Sequence, residues 1–150
     1  MCTGYMDHME NNTAQVSAGW TDTCVLKTDG TVACYGITIN YSNLDDYEQL
    51  DVPAGLNNVI QISSWQWYNC ALKSDGTVEC WWKYGHITPT VPSLTDVVSI
   101  SVAESGYHAC ALKSDGTVEC WGDTYNNALT IPSGLNAVKQ ISAWYWYTCA

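Results

Sequence analysis

The sequence predicts an all-β repeat protein, and three observations carry that prediction. The segment Cys110-Ala-Leu-Lys-Ser-Asp-Gly-Thr-Val-Glu-Cys120 is identical to Cys70–Cys80 and closely matched by Cys24–Cys34, at intervals of 46 and then 40 residues. Recurrence at such a period is the signature of stacked structural units. Apolar and polar residues alternate on both sides of each Asp-Gly pair, a strand–turn–strand pattern. No stretch of useful length has helical periodicity.

Each recurring segment reads as a hairpin. A three-residue loop, Ser114-Asp115-Gly116, sets Leu112 opposite Val118 and Cys110 opposite Cys120. Such loops combine a type I turn with a left-handed residue, and Gly116 suits that position because it has no Cβ to clash. The same register puts the cysteines at a non-hydrogen-bonded pair, where facing side chains lie closest. Disulfides Cys24–Cys34, Cys70–Cys80 and Cys110–Cys120 are therefore geometrically reasonable. Loop-closure entropy assigns each about 3 kcal/mol before strain is subtracted. A zinc site is the rival reading, but zinc favours closely spaced pairs such as Cys-x-x-Cys, and the sequence has none.

Composition bounds the function. The chain has 150 residues, enough for one domain with a real core, and 47% of them are hydrophobic. Only 13% are charged, arginine is absent and the net charge is −10, so nucleic acid and anionic membranes are not expected partners. No run is long and apolar enough to insert in a bilayer, and residues 1–10 lack the apolar centre of a signal peptide. Eight cysteines that pair off by position point to an oxidising, extracellular or cell-surface setting. The glycosylation triplets at Asn11 and Asn40 agree with it.

Along the chain, the units fall at approximately 14–51, 52–90 and 91–130, with 131–150 completed by 1–13. Each later unit opens with a proline turn (Val52-Pro-Ala-Gly-Leu56, Val91-Pro-Ser-Leu94, Ile131-Pro-Ser-Gly-Leu135) and a short apolar strand. An aromatic bend and the hairpin follow, then a variable connection. A lone sheet of this kind cannot bury both faces, so neighbouring units must stack.

The segments Gly106-Tyr-His-Ala-Cys-Ala-Leu112, Ser114-Asp-Gly-Thr-Val-Glu-Cys-Trp-Gly122 and Ile131-Pro-Ser-Gly-Leu135 resemble the regulator of chromosome condensation repeat, particularly its cysteine-containing bacterial secreted versions. The resemblance runs from about residue 14 onward. It implies β-propeller blades of antiparallel strands, three full repeats and a fourth split between the termini. The family shares a scaffold rather than a reaction, so the likeness alone assigns no activity. Only His108 keeps the family's histidine; Asp22, Tyr68 and Tyr147 replace it in the other copies.

The two ends invite an assembly reading. Cys149 lies on the first strand of a fourth hairpin and Cys2 on the second strand of one. Pairing Cys149 with Cys2 would close a ring within one chain or join chains head to tail, in a ring or an open filament. The alternative is a window from a longer propeller.

No catalytic constellation is evident, and no cofactor or metal is expected. Asp29, Asp75 and Asp115 are turn residues. Asp45, Asp46, Glu48 and Asp51 could hold calcium, but they follow no calcium-loop pattern and read as a solvated acidic loop. His8, His86 and His108 are scattered, with no serine or cysteine placed as nucleophile. The aromatic bends are the candidate binding surface: Trp20, Trp65, Trp67, Tyr68, Tyr107, Trp144 and Trp146. Strand alternation sends Trp65 and Trp67 to one face and Gln66 and Tyr68 to the other. One set fills the space between units; the other is open to a glycan or a protein. Two functions follow: a non-catalytic, self-assembling structural or adhesive protein, or a secreted carbohydrate- or protein-binding module.

Overall fold

The computed structural model describes residues 12–19, 22–36, 50–65, 68–82, 90–104, 108–122, 129–145 and 147–150. The described residues form eleven strands and no α-helix. The first sheet is β1 (Thr13–Ala18), β2 (Asp22–Lys27) and β3 (Val32–Gly36). The second is β4 (Val59–Trp65), β5 (Tyr68–Lys73) and β6 (Val78–Trp82), and the third is β7 (Val97–Val102), β8 (His108–Lys113) and β9 (Val118–Gly122). The fourth pairs β10 (Ser142–Trp144) with β11 (Tyr147–Cys149). Every pairing is antiparallel and follows chain order.

The hairpin register is the expected one. Leu112 pairs with Val118 and Cys110 with Cys120, and the other two copies repeat it. Lys113 N–H donates to Thr117 O at 2.9 Å, closing the loop over residues 114–116, where Gly116 takes φ +83°. Disulfides join Cys24 to Cys34, Cys70 to Cys80 and Cys110 to Cys120, with Cα atoms 4.0–4.1 Å apart. In each turn the aspartate accepts from the threonine two residues on: Thr117 N–H reaches Asp115 Oδ1 at 2.9 Å and Thr117 Oγ1 reaches it at 2.7 Å. These bonds hold Asp29, Asp75 and Asp115 below the usual carboxylate range.

The sheets stack face to face in chain order. Cys24 and Leu26 of the first pack with Ile62, Ala71 and Trp81 of the second. Tyr68, Cys70 and Leu72 pack with Ile100, Ala111 and Trp121 of the third, and Cys110 and Leu112 pack with Val138 and Ile141 beside the fourth. Each middle strand thus turns its disulfide-bearing face to the next sheet. On the other face β5 has Ala71 and β8 has Ala109 and Ala111, small residues that let the preceding sheet approach.

The turns tie the sheets together too. Val138 N–H donates to Gly116 O at 3.1 Å, and Val97 and Val59 do the same to Gly76 and Gly30. The residue before each of these valines, Asn58, Asp96 or Ala137, is held at φ between +54° and +60°.

The aromatic segment differs from the sequence expectation. Trp65 and Tyr68 are cross-strand partners at the end of β4 and the start of β5, so they share a face. The expected alternation treats residues 65–68 as one strand, whereas the chain reverses direction between Trp65 and Tyr68. Position 59/61 carries a register shift, mirrored at 13/15 and 97/99, which turns Ile60 and Val98 out to solvent.

Candidate functional site: the sheet-to-sheet junctions and the face beyond them

The position two residues before each hairpin cysteine points at the following sheet. Asp22, Tyr68 and His108 occupy it, at 4%, 1% and 1% exposure. Each meets a different polar partner. Trp121 Nε1–H donates to the Tyr68 hydroxyl at 2.8 Å. His108 Nε2 lies 3.2 Å from Thr148 Oγ1. Asp22 lies against the Asn69 side chain, yet neither carboxyl oxygen makes a well-aligned hydrogen bond.

Burial sets the ionisation of all three. Desolvation raises Asp22 to about 6, with the Asn69 contact opposing the rise. It raises Tyr68 to about 12 against the pull of the Trp121 bond, and lowers His108. Each group is thereby held neutral over a wider pH range than in water.

A second series of contacts joins the first strands. Gln15 Nε2 donates to Ile62 O at 2.8 Å while Ile62 N–H donates to Gln15 Oε1 at 2.9 Å. Gln61 grips Ile100 in the same way, at 3.0 Å both times. Two residues on, Ser17 Oγ accepts from Ser64 N–H, Ser63 Oγ from Val102 N–H and Ser101 Oγ from Ala143 N–H, at 2.8–3.0 Å. A side-chain clamp therefore satisfies the outward backbone groups of the next edge strand. Sequence reading missed this series, although Gln-Val/Ile-Ser recurs at Gln15, Gln61 and Gln140, and Ser-Ile-Ser stands at Ser99.

The candidate binding aromatics divide by burial. Tyr68 is core: no ligand can stack on it, and it forms a tilted pair with Trp82 at 6.2 Å between ring centroids. Trp65 is half-buried and packs against the same cluster. Trp144, Tyr145 and Tyr147 stand exposed on the fourth sheet and its turn. Trp20, Trp67, Tyr107, Trp146, the glycosylation candidates Asn11 and Asn40, and the acidic residues Asp45, Asp46 and Glu48 lie outside the described residues. So do His8, His86 and Cys2, and with Cys2 the Cys2–Cys149 pairing; Cys149 is exposed and forms no disulfide among the described residues. No group of three metal-ligating side chains occurs among them either.

Residues 97–127 match the model of the regulator of chromosome condensation (RCC1) repeat. The chain contains an RCC1-type β-propeller repeat. Among solved structures it is similar to the CRINKLY WD40 ectodomain of the Arabidopsis thaliana receptor kinase ACR4, at TM-score 0.69 and 22% identity over 89% of this chain and 44% of that one. It is also similar to the ectodomain of the Physcomitrella patens receptor kinase CR4, at TM-score 0.66 and 22% identity, over 87% of this chain and 35% of that one. Prp20p of Saccharomyces cerevisiae gives TM-score 0.58 and 20% identity, over 85% of this chain and 34% of that one. At these identities the likeness is one of fold. The chain spans less than half the length of each of these three structures. No curated protein sequence matches it significantly.

Proposed function

We propose that the chain is a non-catalytic, extracellular structural or adhesive protein that assembles with copies of itself head to tail, its C-terminal strand meeting an N-terminal one. One observation carries the reading. Tyr147 is 67% exposed at the position where Tyr68 and His108 are 1% exposed beneath a following sheet. Among the described residues, the outer face of the fourth sheet has the side chains of a junction and no sheet packed on it. The three disulfides and the ectodomain neighbours support an extracellular setting. The engagement of Tyr68 and His108 in sheet-to-sheet contacts supports a non-catalytic role.

Sedimentation of the full chain over a range of concentrations tests the proposal. Mass rising in steps of one chain is expected, and a constant single-chain mass contradicts it. A second reading, carbohydrate binding, is favoured by Trp144 and Tyr145, which are 59% and 47% exposed side by side. Sugar retention on a glycan array, lost in Trp144→Ala, would support that reading.

A further inference from the structure

The junction between the first and second sheets differs in kind from the two that follow it. Asp22 lies two residues before Cys24, and Ser64 two residues after Ile62, so each shares its neighbour's face. Cys24 and Ile62 pack together across this junction. Asn69 is the cross-strand partner of Ser64 and stands on the same face. The positions of Asp22, Ser64 and Asn69 are held by Tyr68, Val102 and Ala109 at the second junction, and by His108, Ala143 and Thr148 at the third.

At those two junctions a ring fills the space and finds a partner, Trp121 for Tyr68 and Thr148 for His108. At the first, a carboxyl shorter by a whole ring faces a hydroxyl and an amide. All three residues are buried, with Asp22 at 4%, Ser64 at 7% and Asn69 at 0% exposure. Among the described residues, neither Asp22 carboxyl oxygen nor Ser64 Oγ has a hydrogen-bond partner. No lysine offsets the carboxylate there: Lys73 pairs with Glu79 and Lys113 with Glu119. The backbone nevertheless holds these oxygens in place. Gly19 N–H donates to Asp22 O and Ser64 N–H to Ser17 Oγ, both at 2.8 Å. Buried polar atoms are nearly always satisfied, and a buried carboxylate without a donor or a counter-charge is strongly unfavourable.

We infer that Asp22, Ser64 and Asn69 form a buried binding site for a small, hard, monovalent cation of the sodium class. Carboxylate, hydroxyl and amide oxygens are the ligands that hard cations take. A single carboxylate balances a single positive charge, so ion and site together bury no net charge. Water could fill the hydrogen bonds but could not cancel the charge. Calcium takes about six to eight oxygens and would leave positive charge buried beside one carboxylate. The site is distinct from a cluster of three His, Cys, Asp or Glu side chains, of which there is none among the described residues. It lies inside the chain and is independent of how copies meet.

Thermal melts of the full chain test the site, at about pH 7.5, above the value of about 6 to which burial raises Asp22. Sodium chloride is exchanged for tetramethylammonium chloride at constant ionic strength, the organic ion being too bulky for a closed junction. The melting temperature should rise by about 3–5 °C for each tenfold increase in sodium above its dissociation constant. Asp22→Asn should abolish that rise, and Ser64→Ala should weaken sodium binding about tenfold. Asp51→Asn makes the same charge change at an exposed position and should leave the rise intact. Sodium-23 line broadening gives a second readout, expected with the wild type and Asp51→Asn and lost with Asp22→Asn. Equal melting temperatures in the two salts overturn the site. So does an equal sodium response in Asp22→Asn and Asp51→Asn, which would mark diffuse screening of the acidic surface. A response to calcium without one to sodium overturns the monovalent assignment.

Discussion

The Trp121 indole N–H donates to the Tyr68 hydroxyl across the junction between the second and third sheets, 2.8 Å from nitrogen to oxygen. It links residues 53 apart in sequence, and both are buried. Tyr68→Phe keeps the ring and its packing but strands a buried donor. A loss of about 1–3 kcal/mol is expected, seen as a melting temperature lower by about 2–4 °C per kcal/mol. An unchanged melting temperature would show that the bond adds nothing beyond the ring.

The buried Asp22 and His108 give opposing pH dependences. Asp22 is raised from 3.8 to about 6 by burial, so the folded chain holds a proton that the unfolded chain has released between those values. Its contribution is present below pH 4 and lost as the pH rises through 6, by up to about 3 kcal/mol. His108 is lowered by burial, so folding is opposed as the pH falls below the ordinary value of 6.5. Urea titrations of Asp22→Asn should therefore show a steeper loss of stability from pH 6 to pH 4 than the wild type. Parallel curves for the two proteins would contradict the buried carboxyl.

Two glycines separate backbone strain from crowding. Gly55 and Gly116 both have positive φ, but a Cβ on Gly55 meets nothing within 4 Å, whereas one on Gly116 meets Ala137 Cα at 2.8 Å. Gly55→Ala should cost about 1–2 kcal/mol, the left-handed penalty alone. Gly116→Ala should cost clearly more in the same denaturation experiment, because the turn must also withdraw from the next sheet. Equal costs would mean that the close approach is soft.

These features were unevenly legible in the sequence. The hairpins were fully so: turn, register and disulfides are set by residues within eleven positions of one another, from Cys110 to Cys120. The junctions were not. Asp22 with Asn69, Tyr68 with Trp121 and His108 with Thr148 fill one structural position with three chemistries, so no pattern repeats between copies. The Gln/Ser clamp does repeat, but its partners are backbone atoms, which sequence does not mark. Strand alternation alone puts Trp65 and Tyr68 on opposite faces, because the reversal between them has neither glycine nor proline to announce it.

The clamp can also be completed by design. Ser99 stands where Gln15 and Gln61 reach across, and its short side chain makes no such bond to Ile141. Ser99→Gln should add the missing pair and raise stability by about 1 kcal/mol in chemical denaturation. A destabilised variant would show that the third junction has a different spacing from the first two.

We propose that copies of the chain join head to tail, the C-terminal strand of one meeting an N-terminal strand of the next. Electron microscopy of the purified full-length chain tests it most directly. Rings or filaments built from several copies are predicted, and a field of particles no larger than one chain would contradict it.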